Sequence, residues 1–223
     1  MMSKRDQMRG SDRMAGLFGL VLGIFAMATL SIGPAEAKAP LKIVAFGDSL
    51  TAGYLLANGE AFPDILQKAL AERGLETQIS NAGVSGDTTT GGLARLDWSV
   101  PDGTDAVLLE LGANDMLRGL DPSVPRANLK AIFDRLKERK IPVFILGMRA
   151  PANYGANYAK DFDSLYADLA KANGAPLYPF MLEGVAGQAA YLLSDGLHPN
   201  AEGVEVIARK IMPQLDEFVG ALR

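Results

Sequence analysis

From Leu41 onward, short apolar runs alternate with stretches in which apolar residues recur at helical spacing. Leu41–Phe46 is mostly apolar and is closed by Gly47, the pattern of a strand buried on both faces. Phe62–Arg73 has helical spacing and stops at Gly74. Thr77–Asn81 predicts a second strand, and Asp105–Leu111 a third that ends at Gly112. Pro122–Lys140 predicts a helix with proline in its first turn. Pro142–Gly147 predicts a fourth strand, Asn157–Asn173 a helix ending at Gly174, and Ala175–Tyr178 a short fifth strand. Pro199–Leu222 is the last predicted helix, again opened by proline.

Strand–helix alternation at this spacing means βαβ units. The expected fold is α/β: a flavodoxin-like three-layer α/β/α sandwich with a five-stranded, mostly parallel sheet. One domain, residues 38–223, accounts for the pattern, and no internal repeat interrupts it.

The residues before it read differently. Lys4, Arg5, Arg9 and Arg13 precede an uncharged apolar run, Leu17–Gly33, and Ala35-Glu36-Ala37 places small residues as a signal peptidase needs them. Residues 1–37 are therefore expected to be a signal peptide, cleaved near Ala37-Lys38 to leave a periplasmic or secreted protein. A retained anchor is the other reading, because the run approaches the length that spans a bilayer.

Composition narrows the chemistry. A formal charge of −4 with no basic block argues against a nucleic-acid partner. The chain has no cysteine and one histidine, so thiol chemistry is excluded and no metal site, zinc included, is expected. That histidine, His198, lies in Ser194-Asp195-Gly196-Leu197-His198-Pro199, three residues after a carboxylate.

Ligands of open α/β sheets bind at the carboxyl ends of the strands. The first strand delivers Gly47-Asp48-Ser49, the second Asn81 to Asp87, and the third Gly112-Ala113-Asn114-Asp115; Asp195 and His198 follow the fifth. Ser49 at a tight strand-to-helix turn can expose its hydroxyl, with His198 as general base and Asp195 to orient it. The Ser49 N–H, the Gly83 N–H and the Asn114 side-chain amide are the candidate oxyanion donors. Ser85 reads as a turn residue. Thr88-Thr89-Thr90-Gly91-Gly92 has the look of a phosphate loop, but it follows the second strand and lacks a P-loop lysine.

The blocks Gly47-Asp48-Ser49-Leu50, Gly83, Gly112-Ala113-Asn114-Asp115 and Asp195-Gly196-Leu197-His198 resemble, in order, those of the GDSL/SGNH hydrolases. Asp48–Tyr54 and Arg149–Gly155 are similar to segments of the bacterial periplasmic thioesterase I, arylesterase and lysophospholipase group. The resemblance implies hydrolysis of acyl esters and thioesters, small-molecule or lipid, without cofactors. Tyr154, Leu192 and Leu193 are the candidate substrate contacts within an apolar groove, alongside Met181, Leu182, Val185 and Tyr191. Two rivals stand beside this reading: a carbohydrate O-deacetylase of the same family, and a flavodoxin-like binding module without turnover.

Overall fold

The computed structural model describes residues 39–223. The expected signal peptide, residues 1–37, lies outside them. Five strands form one sheet: β1 (Leu41–Gly47), β2 (Thr77–Gly83), β3 (Ala106–Glu110), β4 (Val143–Leu146) and β5 (Leu177–Tyr178). Their order is β2-β1-β3-β4-β5, and every pair is parallel. The principal helices are α2 (Phe62–Ala71), α3 (Thr89–Ser99), α5 (Ser123–Glu138), α6 (Ala156–Asn173) and α7 (Ala201–Ala221), with short helices α1 (Ser49–Ala52) and α4 (Ala113–Leu117) after β1 and β3. Helix α2 packs on α7, and α3, α5 and α6 pack in sequence, so helices cover both faces of the sheet.

Burial explains the strand composition. Ile43 to Phe46 in β1 and all of β3, Ala106 to Glu110, are buried, so no residue of either run alternates toward water. The helices bury one stripe each: Phe62, Leu66 and Leu70 in α2; Leu129, Ile132, Phe133 and Leu136 in α5; Val204, Ile207, Ile211, Leu215 and Val219 in α7.

The strand order fixes where a ligand can sit. From β1 the chain moves to β2 on one side and then returns to add β3, β4 and β5 on the other. The helices leaving β1 and β3 diverge there and open a crevice above their carboxyl ends.

The structure departs from the sequence expectations in small ways. Strand β2 continues through Ala82 and Gly83, which stay in register with Phe46 and Gly47. Pro199 lies outside α7, whose N-cap is Asn200, with its side chain accepting from the Gly203 N–H. Helix α3 carries almost no apolar signature: it buries Thr89, Gly92, Arg95 and Leu96, while Trp98 is 75% exposed. A periodicity argument has little to detect in such a helix.

Candidate active site

Strand β1 ends at Gly47, where an added Cβ would collide with Thr51 Oγ1 and with the Glu110 side chain and carbonyl. Only glycine allows the chain to turn that closely against β3. The turn begins α1, with Asp48 as its N-cap: Oδ1 accepts from the Leu50 N–H at 3.0 Å. The other oxygen, Oδ2, accepts from Asn114 Nδ2 at 2.9 Å. One fully buried carboxylate thereby joins the turn after β1 to the turn after β3.

Beneath it, Glu110 Oε2 accepts from the Asp48 N–H at 3.1 Å and from Thr51 Oγ1 at 2.9 Å. Its other oxygen is buried with no partner. Burial, and then the neighbouring Asp48 carboxylate, push Glu110 well above the ordinary carboxylate range. Burial also raises Asp48, against the hydrogen bonds from Leu50, Glu110 and Asn114. Burial thus disfavours the charged form of both carboxyls, and of Glu110 the more strongly.

Ser49 is the first residue of α1, and its Oγ lies 2.9 Å from His198 Nε2. His198 Nδ1 lies 2.6 Å from Asp195 Oδ2. The spacing of three works through a closed loop. Leu192 bridges Pro199, the Leu193 N–H donates to the His198 carbonyl at 2.8 Å, and Gly196 turns the chain with φ +69°. Asp195 Oδ1 accepts from the Leu197 and His198 N–H groups at 2.9 and 3.0 Å. Those backbone bonds, more than the imidazole, lower the Asp195 carboxyl to about 2. The Tyr54 ring packs 4.5 Å from the imidazole, centroid to centroid.

Ser49, Tyr54, Asn114 and His198 border a cavity of about 310 Å³. Its apolar wall comes from Met116 and Leu117 of α4, Met148 beyond β4, and Phe180, Leu182 and Leu192. Of the three expected substrate contacts, Leu192 lines it while Tyr154 and Leu193 do not. Tyr154 packs 5.3 Å from Tyr158, centroid to centroid, and Leu193 is tied into the Asp195–His198 loop. Met181 and Val185 are core residues. Met116, Met148 and Phe180 escaped the sequence reading, although the strand-end rule applied to β4 and β5 points at the last two.

Gly83 also differs from expectation. Its N–H donates to Asn81 Oδ1 at 2.9 Å, and a Cβ there would strike the Ala52 backbone. Its role is close packing of β2 against α1, and it does not line the cavity. Gly86 does line it, at φ +80°, and among the described residues its N–H and that of Ser49 have no other acceptor. Ser85 lines the cavity as well, but only the Ser49 hydroxyl reaches His198 among the described residues. The threonine run is accounted for too: Thr88 caps α3, and the Thr89 N–H and Oγ1 donate to buried Asp115 at 2.8 and 2.6 Å. A carboxylate of the chain already occupies the helix end where a phosphate would sit.

Comparison with known proteins agrees with this architecture. Residues 45–206 match the model of the GDSL-like Lipase/Acylhydrolase family. The chain is 39% identical over 182 residues to an arylesterase of Vibrio mimicus, covering 81% of this chain and 91% of that protein. It is 36% identical over 185 residues to the thioesterase 1/protease 1/lysophospholipase L1 of Escherichia coli K12, covering 82% and 88%. The crystal structure of AlinE4, an SGNH-hydrolase family esterase, superposes with a TM-score of 0.69 at 44% identity, covering 81% of this chain and 97% of that one.

The Asp195 bonds have a pH consequence. A folded-state value of about 2, below the ordinary 3.8, means that Asp195 favours the folded form above about pH 4. That contribution is lost as the pH falls through about 2. Carboxyl-carbon NMR should show Asp195 titrating near 2. In His198→Ala the midpoint should rise but stay below 3.8, because the two backbone donors remain.

Proposed function

We propose, for a chain that belongs to the GDSL-like lipase/acylhydrolase family and is a carboxylic ester hydrolase, that Ser49 is its nucleophile, with His198 as base and Asp195 as orienting carboxylate. The observation that carries this reading is the unbroken line from Ser49 Oγ to His198 Nε2 (2.9 Å) and from His198 Nδ1 to Asp195 Oδ2 (2.6 Å). With Nδ1–H donating to Asp195, Nε2 is left to accept the serine proton. Ser49 Oγ attacks the acyl carbonyl as that proton moves to His198. The tetrahedral oxyanion then meets the free N–H groups of Ser49 and Gly86 and the second hydrogen on Asn114 Nδ2, the first being held by Asp48. Gly83, with its N–H committed to Asn81, takes no part. His198 next protonates the leaving alcohol or thiol. Water, deprotonated by the same imidazole, releases the acid from the acyl-enzyme.

The apolar wall of the cavity favours acyl chains over the polar rings a carbohydrate deacetylase would hold. The relatives named for arylesterase and for thioesterase and lysophospholipase activity suggest oxygen esters and thioesters alike. Exposed Tyr54, Leu55, Val84, Leu117 and Leu197 all lie on loops or short helices at the cavity end of the sheet, which suits contact with lipid substrates. The N-terminal charge and apolar pattern supports export to the periplasm.

Replacing Ser49 by Ala should abolish labelling by a fluorophosphonate and lower turnover on the order of 10⁶-fold without unfolding. Wild-type labelling of that variant would refute the assignment. Asn114→Ala should lower kcat roughly 10²–10³-fold with little change in KM for p-nitrophenyl butyrate.

Chain length gives a separate check. Each buried methylene adds about 0.8 kcal/mol, about fourfold in kcat/KM, until the cavity is full. Leu182→Trp should therefore depress octanoyl-ester hydrolysis more than acetyl-ester hydrolysis. Equal losses on both would mean that Leu182 does not face the acyl chain.

Export is checked on protein recovered from a Gram-negative host, whose N-terminal sequence should begin at or near Lys38. A protein that keeps Leu17–Gly33 and pellets with membranes would instead be anchored.

A further inference from the structure

One buried cation is not used by the mechanism above. Arg95 lies in α3, its side chain 8% exposed, with its guanidinium 4.2 Å above the Phe46 ring. Nη2 donates to the Gly47 carbonyl at 2.8 Å, and Nη1 to the Ala82 carbonyl at 2.8 Å and to Ser99 Oγ at 3.2 Å. Nε donates to Asp87 Oδ2 at 2.7 Å.

The partners are the ends of two strands and the loop between β2 and α3. Gly47 closes β1, two residues before Ser49. Ala82 is the penultimate residue of β2, and Asp87 directly follows Gly86. We propose that Arg95 is a positioning residue: its planar fork fixes the Gly86 N–H relative to Ser49, and so sets the geometry of the oxyanion site. The proposal rests on the serine-esterase reading above and adds a residue that touches neither substrate nor reacting atoms.

Without this fork, little holds the loop. Beyond the last bond between the strand ends, from Val84 N–H to the Gly47 carbonyl at 3.1 Å, the loop has one turn bond, Asp87 N–H to the Val84 carbonyl at 3.0 Å. The other tethers are Arg118 Nη2 to the Gly86 carbonyl, from an exposed side chain, and Thr89 on buried Asp115, which fixes the α3 end of the loop and does not reach the β1 turn. Arg95 is therefore the buried link between the β1 turn and the donor loop. A buried ion pair is a poor source of stability compared with apolar packing, but its directional bonds restrict geometry. Displacing a donor by about 1 Å is enough to cost about 10²-fold in rate. Lysine cannot replace this arrangement, because one ammonium cannot reach two carbonyls and a carboxylate in fixed directions.

The test uses Arg95→Lys and Asp87→Asn, with p-nitrophenyl butyrate as substrate and fluorophosphonate titration to count competent sites. Per titrated site, kcat should fall about 10²-fold in Arg95→Lys and about tenfold in Asp87→Asn. KM should stay within about twofold, and the pH profile should not move, because the Ser49–His198–Asp195 line is untouched. Asp87→Asn, nearly isosteric, covers the case in which Arg95→Lys fails to fold. A kcat per titrated site within about twofold of wild type, with only the melting temperature lowered, would overturn the proposal. So would a loss carried by KM with kcat unchanged. Ser49→Ala is run alongside: full activity there would defeat the serine-esterase reading itself, whereas a dead Ser49→Ala beside an unaffected Arg95→Lys defeats only the positioning role.

Discussion

The cleft depends on one buried carboxylate. Asp48 caps α1 with one oxygen and holds Asn114 with the other, so the turn after β1 and the turn after β3 are fixed to each other by a single group. Such an anion is tolerated only because both oxygens are hydrogen-bonded and the carboxyl beneath it, Glu110, is held toward its neutral form. The same cluster requires Gly47, since a side chain there would occupy the space of Thr51 and Glu110. Strand pairing brings the two turns close; Asp48 gives them an orientation.

The two halves of the site are built differently. The Asp195–His198 half is local: a closed loop of seven residues, from Leu193 to Pro199, sets the imidazole through backbone hydrogen bonds, with Tyr54 packed on its face. The donor half is assembled from the ends of three strands and is secured by buried polar groups, Asp48 on one side and Arg95 on the other. In the proposed mechanism, distortion of the first half would act on proton transfer and distortion of the second on where charge is stabilised. The apolar wall is shared: Met116 and Leu117 stand on α4 with Asn114, and Leu192 adjoins the Asp195–His198 loop, whereas Met148, Phe180 and Leu182 come from beyond β4 and β5.

Strand ends are legible in the sequence where periodicity is strong. The apolar runs at Leu41, Asp105 and Pro142 are buried strands, and each passes into a turn bearing cleft residues. They are not legible after β2, where two glycines stand three residues apart. Gly83 was the nearer to the expected strand end, but the strand runs through it, and its N–H is consumed by Asn81. Gly86 is the one left facing the cavity. A helix after the threonine run is expected, but its bounds and the place of Arg95 carry no periodic signal, because its buried face is built of Thr, Gly and Arg with a single leucine.

The sequence alone determined the strand–helix alternation, the absence of cysteine and the single histidine with its nearby aspartate. These are local properties, written in hydrophobic period, composition and short spacing. The tertiary structure alone decided which N–H groups stay free, which hydrophobic residues line the cavity rather than the core, and that Arg95 bridges two strand ends. The physical reason is that each of these is a competition among partners distant in the chain. Asn81 or a substrate for one amide, Asp115 or a phosphate for one helix end: such contests are settled only when the sheet brings the competitors together.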